Sequence, residues 1–150
     1  MKKIAPIILM SISMVSAGIS QVVSNEVEDV RAAVNELYAA INARDTDTFL
    51  KYMGPDGYTE YSYDGSPLLT VGEDRVRRNF ATEFKSNFEV QGLKVKTFKD
   101  AAVVTGYRIG TLVRPDGTGH HINKLSLSMM WFYQEDGWKL VHVHLSIPQS

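Results

Sequence analysis

No cysteine occurs in the 150 residues, which removes disulfides, thiolate metal sites, cysteine nucleophiles and bacterial lipoprotein acylation together. An excess of either charge is missing as well. Sixteen Lys and Arg stand against seventeen Asp and Glu, for a net charge of -1, so the electrostatic footprint of a nucleic-acid binder is absent. There is no heptad repeat, low-complexity tract or internal repeat. No Gly-x-Ser-x-Gly, phosphate-loop or dinucleotide fingerprint occurs, so serine hydrolysis, nucleotide and dinucleotide chemistry have no support in the sequence. What is present is an ordinary globular composition, 44% hydrophobic and 22% charged, of a length that predicts one domain.

The first residues have a different character. Met1-Lys2-Lys3 is a short basic start, an apolar stretch with serines runs from Ile4 to Ile19, and Val15-Ser16-Ala17 offers small residues before Gly18. This pattern predicts a secretory signal peptide over residues 1–17, cleaved near Ala17 to Ser20, and a single domain over 18–150. The apolar run is shorter than the roughly 20 residues that span a bilayer, so no stable membrane anchor is expected after processing. The expected compartment is periplasmic or extracellular. Losing Lys2 and Lys3 leaves 14 basic against 17 acidic side chains, a mildly acidic product.

Val27, Val30, Val34, Leu37, Tyr38 and Ile41 recur at helical spacing, with Asn25 placed as an N-cap and Glu28 three residues on. Asp45 or Thr46 can cap a second, short helix carrying Phe49, Leu50 and Met53, which Gly54-Pro55-Asp56-Gly57 ends. A short strand is expected over Tyr58 to Tyr63. Val76, Phe80, Phe84 and Phe88, at four-residue steps, then predict a third helix. From Leu93 onward the period shortens: Leu93, Val95 and Thr97 alternate with lysines, Ala101 to Val113 is rich in strand formers, and Ile122 to Tyr133 and Trp138 to Ile147 read as two further strands. Helices first and sheet second predict an α+β domain, with three helices laid on one face of a strongly bent, mainly antiparallel sheet.

Two stretches carry a family likeness. Asp100-Ala101-Ala102-Val103-Val104-Thr105-Gly106 and Gly137-Trp138-Lys139-Leu140-Val141-His142-Val143-His144-Leu145-Ser146, with Asn42-Ala43-Arg44-Asp45 after the first helix, resemble the nuclear transport factor 2-like superfamily. The likeness is strongest to its SnoaL-like branch and to the association domain of calcium/calmodulin-dependent protein kinase II. It implies a cone-shaped fold, a pocket between the first helix and the concave sheet face, and a homodimer through the convex face. Function does not follow from such a fold, which hosts isomerases, cyclases, dehydratases and assembly domains. Set against the ketosteroid isomerases of the superfamily, Leu37 falls where a catalytic tyrosine would stand, with Tyr38 one step off, and Tyr61 falls where the catalytic aspartate would stand. Against the kinase association domain, Arg108 matches a pocket arginine that binds carboxylates, while Met129 and Leu145 match two further arginines of that pocket.

These residues define two readings. In the first, an exported domain binds a small molecule, a carboxylate or an apolar ring compound, with Arg108 in the pocket and Tyr61, Tyr107, Trp131 and Met129 as lining. An arginine on an apolar strand face needs a partner, and the plain alternative is a salt bridge to Glu60 or Glu83. In the second, a cyclase, isomerase or dehydratase takes a proton with His142, His144 or Tyr61. His142 and His144 lie two apart on one strand and so share a face. The match of Leu145 to a pocket position turns both toward the convex side. A histidine metal site with His120 or His121 lacks a carboxylate at matching spacing, and neither a metal nor a cofactor is expected.

Overall fold

The computed structural model describes the backbone of residues 15–148 and the side chains of residues 25–148 apart from His120 and Asn123. Most of the expected signal peptide lies outside the described residues. Three helices, α1 (Val15–Ala43), α2 (Thr46–Lys51) and α3 (Glu73–Ala81), pack on a six-stranded sheet. Its strands are β1 (Tyr58–Tyr61), β2 (Leu69–Val71), β3 (Lys85–Phe98), β4 (Ala101–Val113), β5 (Gly119–Gln134) and β6 (Gly137–Ser146), in the order β2-β1-β6-β5-β4-β3. All neighbours are antiparallel except β1 and β6. Among the described residues no helix is long and apolar enough to cross a membrane.

Two expectations change here. Asn25 is not an N-cap, because α1 already runs through it from Val15; no proline interrupts Val15 to Asn25, and the chain simply continues its helical hydrogen bonding. The third helix stops at Ala81, and Phe84 and Phe88 belong to the approach to β3 and to β3 itself. A four-residue step is degenerate, close to one helical turn but also two full strand periods. Ser86 and Val90, between and beyond those phenylalanines, complete an inward alternation with Phe88.

The sheet is bent by three irregularities. β3 carries an extra residue between Gln91 and Lys94 opposite Thr105 to Tyr107, β5 carries one between Ile122 and Leu125 opposite Arg108 to Gly110, and β6 carries one at Val141. An added residue raises local twist and bends its strand. At the middle one Gly110 has φ 134°, and a Cβ there would collide with the carbonyl of Asn87, so the bend requires glycine. The concave face buries Val104, Leu125, Leu127, Met129, Trp131, Leu140, Val143 and Leu145 against Val30, Val34 and Leu37 of α1. The bulge at Val141 explains how Leu140 and Val143, three apart, both point inward, whereas strict alternation groups Leu140 with His142.

Candidate functional site

Where the bent sheet lifts away from α1, the apolar filling is incomplete. A cavity of about 160 Å³ remains, floored by Met129, Leu140 and Val143 and walled by Leu37, Ile41, Phe49 and Phe80. Five polar side chains reach it: Tyr38 from α1, Tyr58 and Glu60 from β1, Asn79 from α3 and Arg108 from β4. Glu60 faces inward because it stands opposite Val143 in the parallel β1–β6 pair. Tyr38 is 6% exposed and sits within the apolar stripe of α1.

Arg108 is the unusual group. Its Nε is buried and makes no hydrogen bond among the described residues, and its guanidinium lies 4.7 Å above the Phe88 ring. The guanidinium forms no salt bridge with a described carboxylate; neither Glu60 nor Glu83 comes within bonding distance. An uncompensated buried donor of this kind costs free energy that a bound acceptor can recover. Burial raises the Glu60 carboxyl above its ordinary value, with Arg108 and then Arg75 opposing that shift. Burial likewise pushes up the phenols of Tyr38, against the attraction of Arg108, and of Tyr58, where Glu60 adds to the shift. The cavity thus joins a cation to a carboxyl that retains its proton readily and to two phenols that stay neutral.

The residues singled out by sequence separate into three places. Arg108 and Met129 line the cavity. Trp131 is on the same concave face but fully buried in the core beyond it, its ring edge-on to Tyr52 at 6.1 Å. Tyr61, His142, His144 and Tyr107 lie on the outer face. Tyr61 is 45% exposed, and its ring stands 6.1 Å and 5.8 Å from those of His142 and His144. His142 Nδ1 is 2.8 Å from Thr59 Oγ1, and Lys124 Nζ lies 4.0 Å over the Tyr107 ring. None of the four lines the cavity. No cluster of three metal-ligating side chains occurs among the described residues. Sequence reasoning missed Tyr38, Tyr58 and, as more than a salt-bridge partner, Glu60. The available signal was the tyrosine inside the apolar stripe of the first helix.

A curved, open sheet with helices packed on one face, and a cavity between them lined by an arginine whose Nε is buried, defines a domain of the α+β class. The SnoaL-like domain family matches residues 30–150, and the chain belongs to that family. Its fold is that of the nuclear transport factor 2-like superfamily. A Salmonella enterica protein of that superfamily is similar at 22% identity, over 85% of this chain and 94% of its own, with a TM-score of 0.71. A Streptomyces avermitilis protein of the same family, with a provisional dehydratase assignment, is 23% identical over 85% of this chain and 99% of its own, TM-score 0.69. The hub of calcium/calmodulin-dependent protein kinase II from S. rosetta is 23% identical over 80% of this chain and 95% of its own, TM-score 0.65. Comparison with curated proteins found no match.

Proposed function

We propose that this is an exported, homodimeric domain that binds a small carboxylate with an apolar ring, the carboxylate on Arg108 and the ring in the cavity. The unpaired, buried Nε of Arg108 at a cavity lined mainly by apolar side chains carries the reading. Size supports it, since an apolar cavity of about 150 Å³ accommodates benzene. Export rests on the basic start and apolar run of the first 17 residues.

Isothermal titration with benzoate tests the site. Arg108→Met is expected to weaken binding roughly 10- to 100-fold, the worth of a charge-assisted hydrogen bond to a carboxylate; equal affinity of the variant overturns the assignment. Affinity is also expected to rise as pH falls toward the ordinary carboxyl value of 4.5. A proton taken up by Glu60 removes a like charge beside the ligand, and the raised pKa of Glu60 puts that uptake above 4.5. In the free protein the contribution of Glu60 itself has the matching sign, present below its ordinary value and lost as pH rises through the raised one. A second reading, a proton-transfer enzyme, is favoured by Glu60, Tyr38 and Tyr58 meeting at one cavity. Chemical conversion of a bound ring carboxylate, seen by NMR and lost in Glu60→Gln, would select it.

The dimer would use the outer sheet face, where Tyr61, Tyr107, Met130 and Phe132 are each about two-fifths exposed and stand with His142 and His144 across adjacent strands. Exposed apolar side chains gathered on one sheet face suit an interaction site. A similar solved structure is named as an association domain of calcium/calmodulin-dependent protein kinase II. Sedimentation is expected to show twice the chain mass, with Met130→Lys monomeric and still able to bind benzoate. A wild-type monomer at tens of micromolar would refute the dimer.

A further inference from the structure

The cavity at Arg108 is not isolated. A second one of about 320 Å³ lies against it, lined by Arg44, Phe80, Phe84, Ser86, Phe88 and Leu112. Ile41, Asn79 and Phe80 line both. Phe88 links them a second way, because its ring faces the outer chamber and also carries the Arg108 guanidinium at 4.7 Å. The division is therefore a few side chains thick, and the cation lies beside it.

The chemistry of the outer chamber complements the inner one. Most of its polar side chains are already engaged. Arg44 donates to the carbonyls of Asn79, Phe80 and Phe84, and Ser86 Oγ donates to the carbonyl of Ile41 at 3.1 Å. What it presents to a ligand is mainly aromatic and aliphatic surface, with the exposed Asn79 as a polar side chain at the border with the inner cavity. A single ring leaves this larger space unfilled, while an extended apolar body fills it and removes its lining from water.

We infer that the two chambers form one bipartite site for an elongated amphipathic carboxylate, its carboxylate on Arg108 and its apolar body reaching past Ile41 and Phe80 into the phenylalanine-lined chamber. This rests on the carboxylate reading above and adds the length and character of the ligand. The side chain of Phe80 would act as the threshold. It is held by its edge-on contact with Phe49 at 5.2 Å and by Arg44 5.9 Å from its ring.

Titration with benzoate, phenylacetate, phenylbutyrate, phenylhexanoate and phenyloctanoate tests it on the whole chain. Affinity is expected to rise by about fourfold per added methylene, the value for burying one CH₂, until the outer chamber is full. Leu112→Trp and, independently, Phe84→Trp place bulk in that chamber. Each is expected to leave benzoate affinity within twofold of wild type and to flatten the rise, with circular dichroism reporting the fold. Two variants guard against one failing to fold. Benzoate binding with no gain along the series overturns the bipartite site and leaves the inner one standing. A rise that persists undiminished in both folded variants overturns it too. No binding by any member overturns both readings.

Discussion

Replacing Trp131 with alanine is expected to lower the unfolding free energy by about 3–5 kcal/mol, the range for truncating a buried large aromatic. That is a large part of the roughly 5–15 kcal/mol of a domain of this size. Trp131 is 0% exposed. It pairs with Ala102 on β4 and Leu140 on β6, so it sits at the middle of the concave face, and its ring meets Tyr52 after α2. Truncation would leave a void with the sheet on one side and the α1–α2 layer on the other, neither free to collapse, because hydrogen bonding fixes the sheet and Tyr52 is tied to Glu36 and Lys51. Its Nε1 has no hydrogen-bond partner among the described residues. Trp131→Phe therefore loses volume but also a buried, unmatched donor worth about 1–3 kcal/mol, and should cost less than about 1.5 kcal/mol. Urea unfolding of the two variants separates them. Equal losses would mean that the indole N–H is satisfied in solution, and a small loss for alanine would mean that the layer can close.

Trp131 also marks how far a sequence can place a site. The sequence reading names it as pocket lining, and it lies on the concave face but in the core beyond the cavity. The cavity, however, occupies only the part of that face where the sheet bends away from α1, and the bend depends on bulges that alternation does not reveal. Val141 shows the same limit at close range: one added residue brings Leu140 and Val143 to one face, a grouping that simple period-two counting excludes. His142 and His144 were legible, because two residues apart on a strand they share a face whatever the bulge does upstream. Arg108 was legible as a cation among apolar neighbours. Glu60 and Tyr58 were not, since β1 is four residues long and its facing is set by its parallel partner β6, a pairing with no local signature. Tyr38 was read as helix core, which its burial bears out, but nothing in a helical stripe distinguishes a tyrosine packed in core from one whose hydroxyl meets a cavity.

Arg44 holds together the end of the molecule where the outer chamber lies, and Arg44→Met is expected to cost about 2–4 kcal/mol, two or more charge-assisted hydrogen bonds of roughly 1.5–3 kcal/mol each less what water restores. Its position is set by the way α1 ends. Arg44 has φ 58°, its N–H reaches Ile41 O at 3.3 Å, and the Asp45 N–H reaches Ala40 O at 2.9 Å, the paired bonds of a left-handed helix terminus. Asp45 then caps α2 through the Thr48 N–H. The reversal aims the Arg44 side chain at the end of α3, where the guanidinium donates to Asn79 O at 2.7 Å, Phe80 O at 2.6 Å and Thr82 Oγ1 at 3.2 Å, as well as to Phe84 O. A cation here satisfies carbonyls that a helix C-terminus leaves free and meets the negative end of its dipole. Two comparison variants isolate the contributions. Arg44→Gly loses the fork but relieves the left-handed backbone, and should lose about 1 kcal/mol less than Arg44→Met. Arg44→Lys keeps the charge but cannot reach four acceptors with a planar fork, and should fall between Met and wild type. Because Phe80 and Phe84 are positioned through these carbonyls, Arg44→Met should weaken phenyloctanoate more than benzoate. Equal weakening of the two would mean that the fork stabilises the fold without shaping the outer chamber.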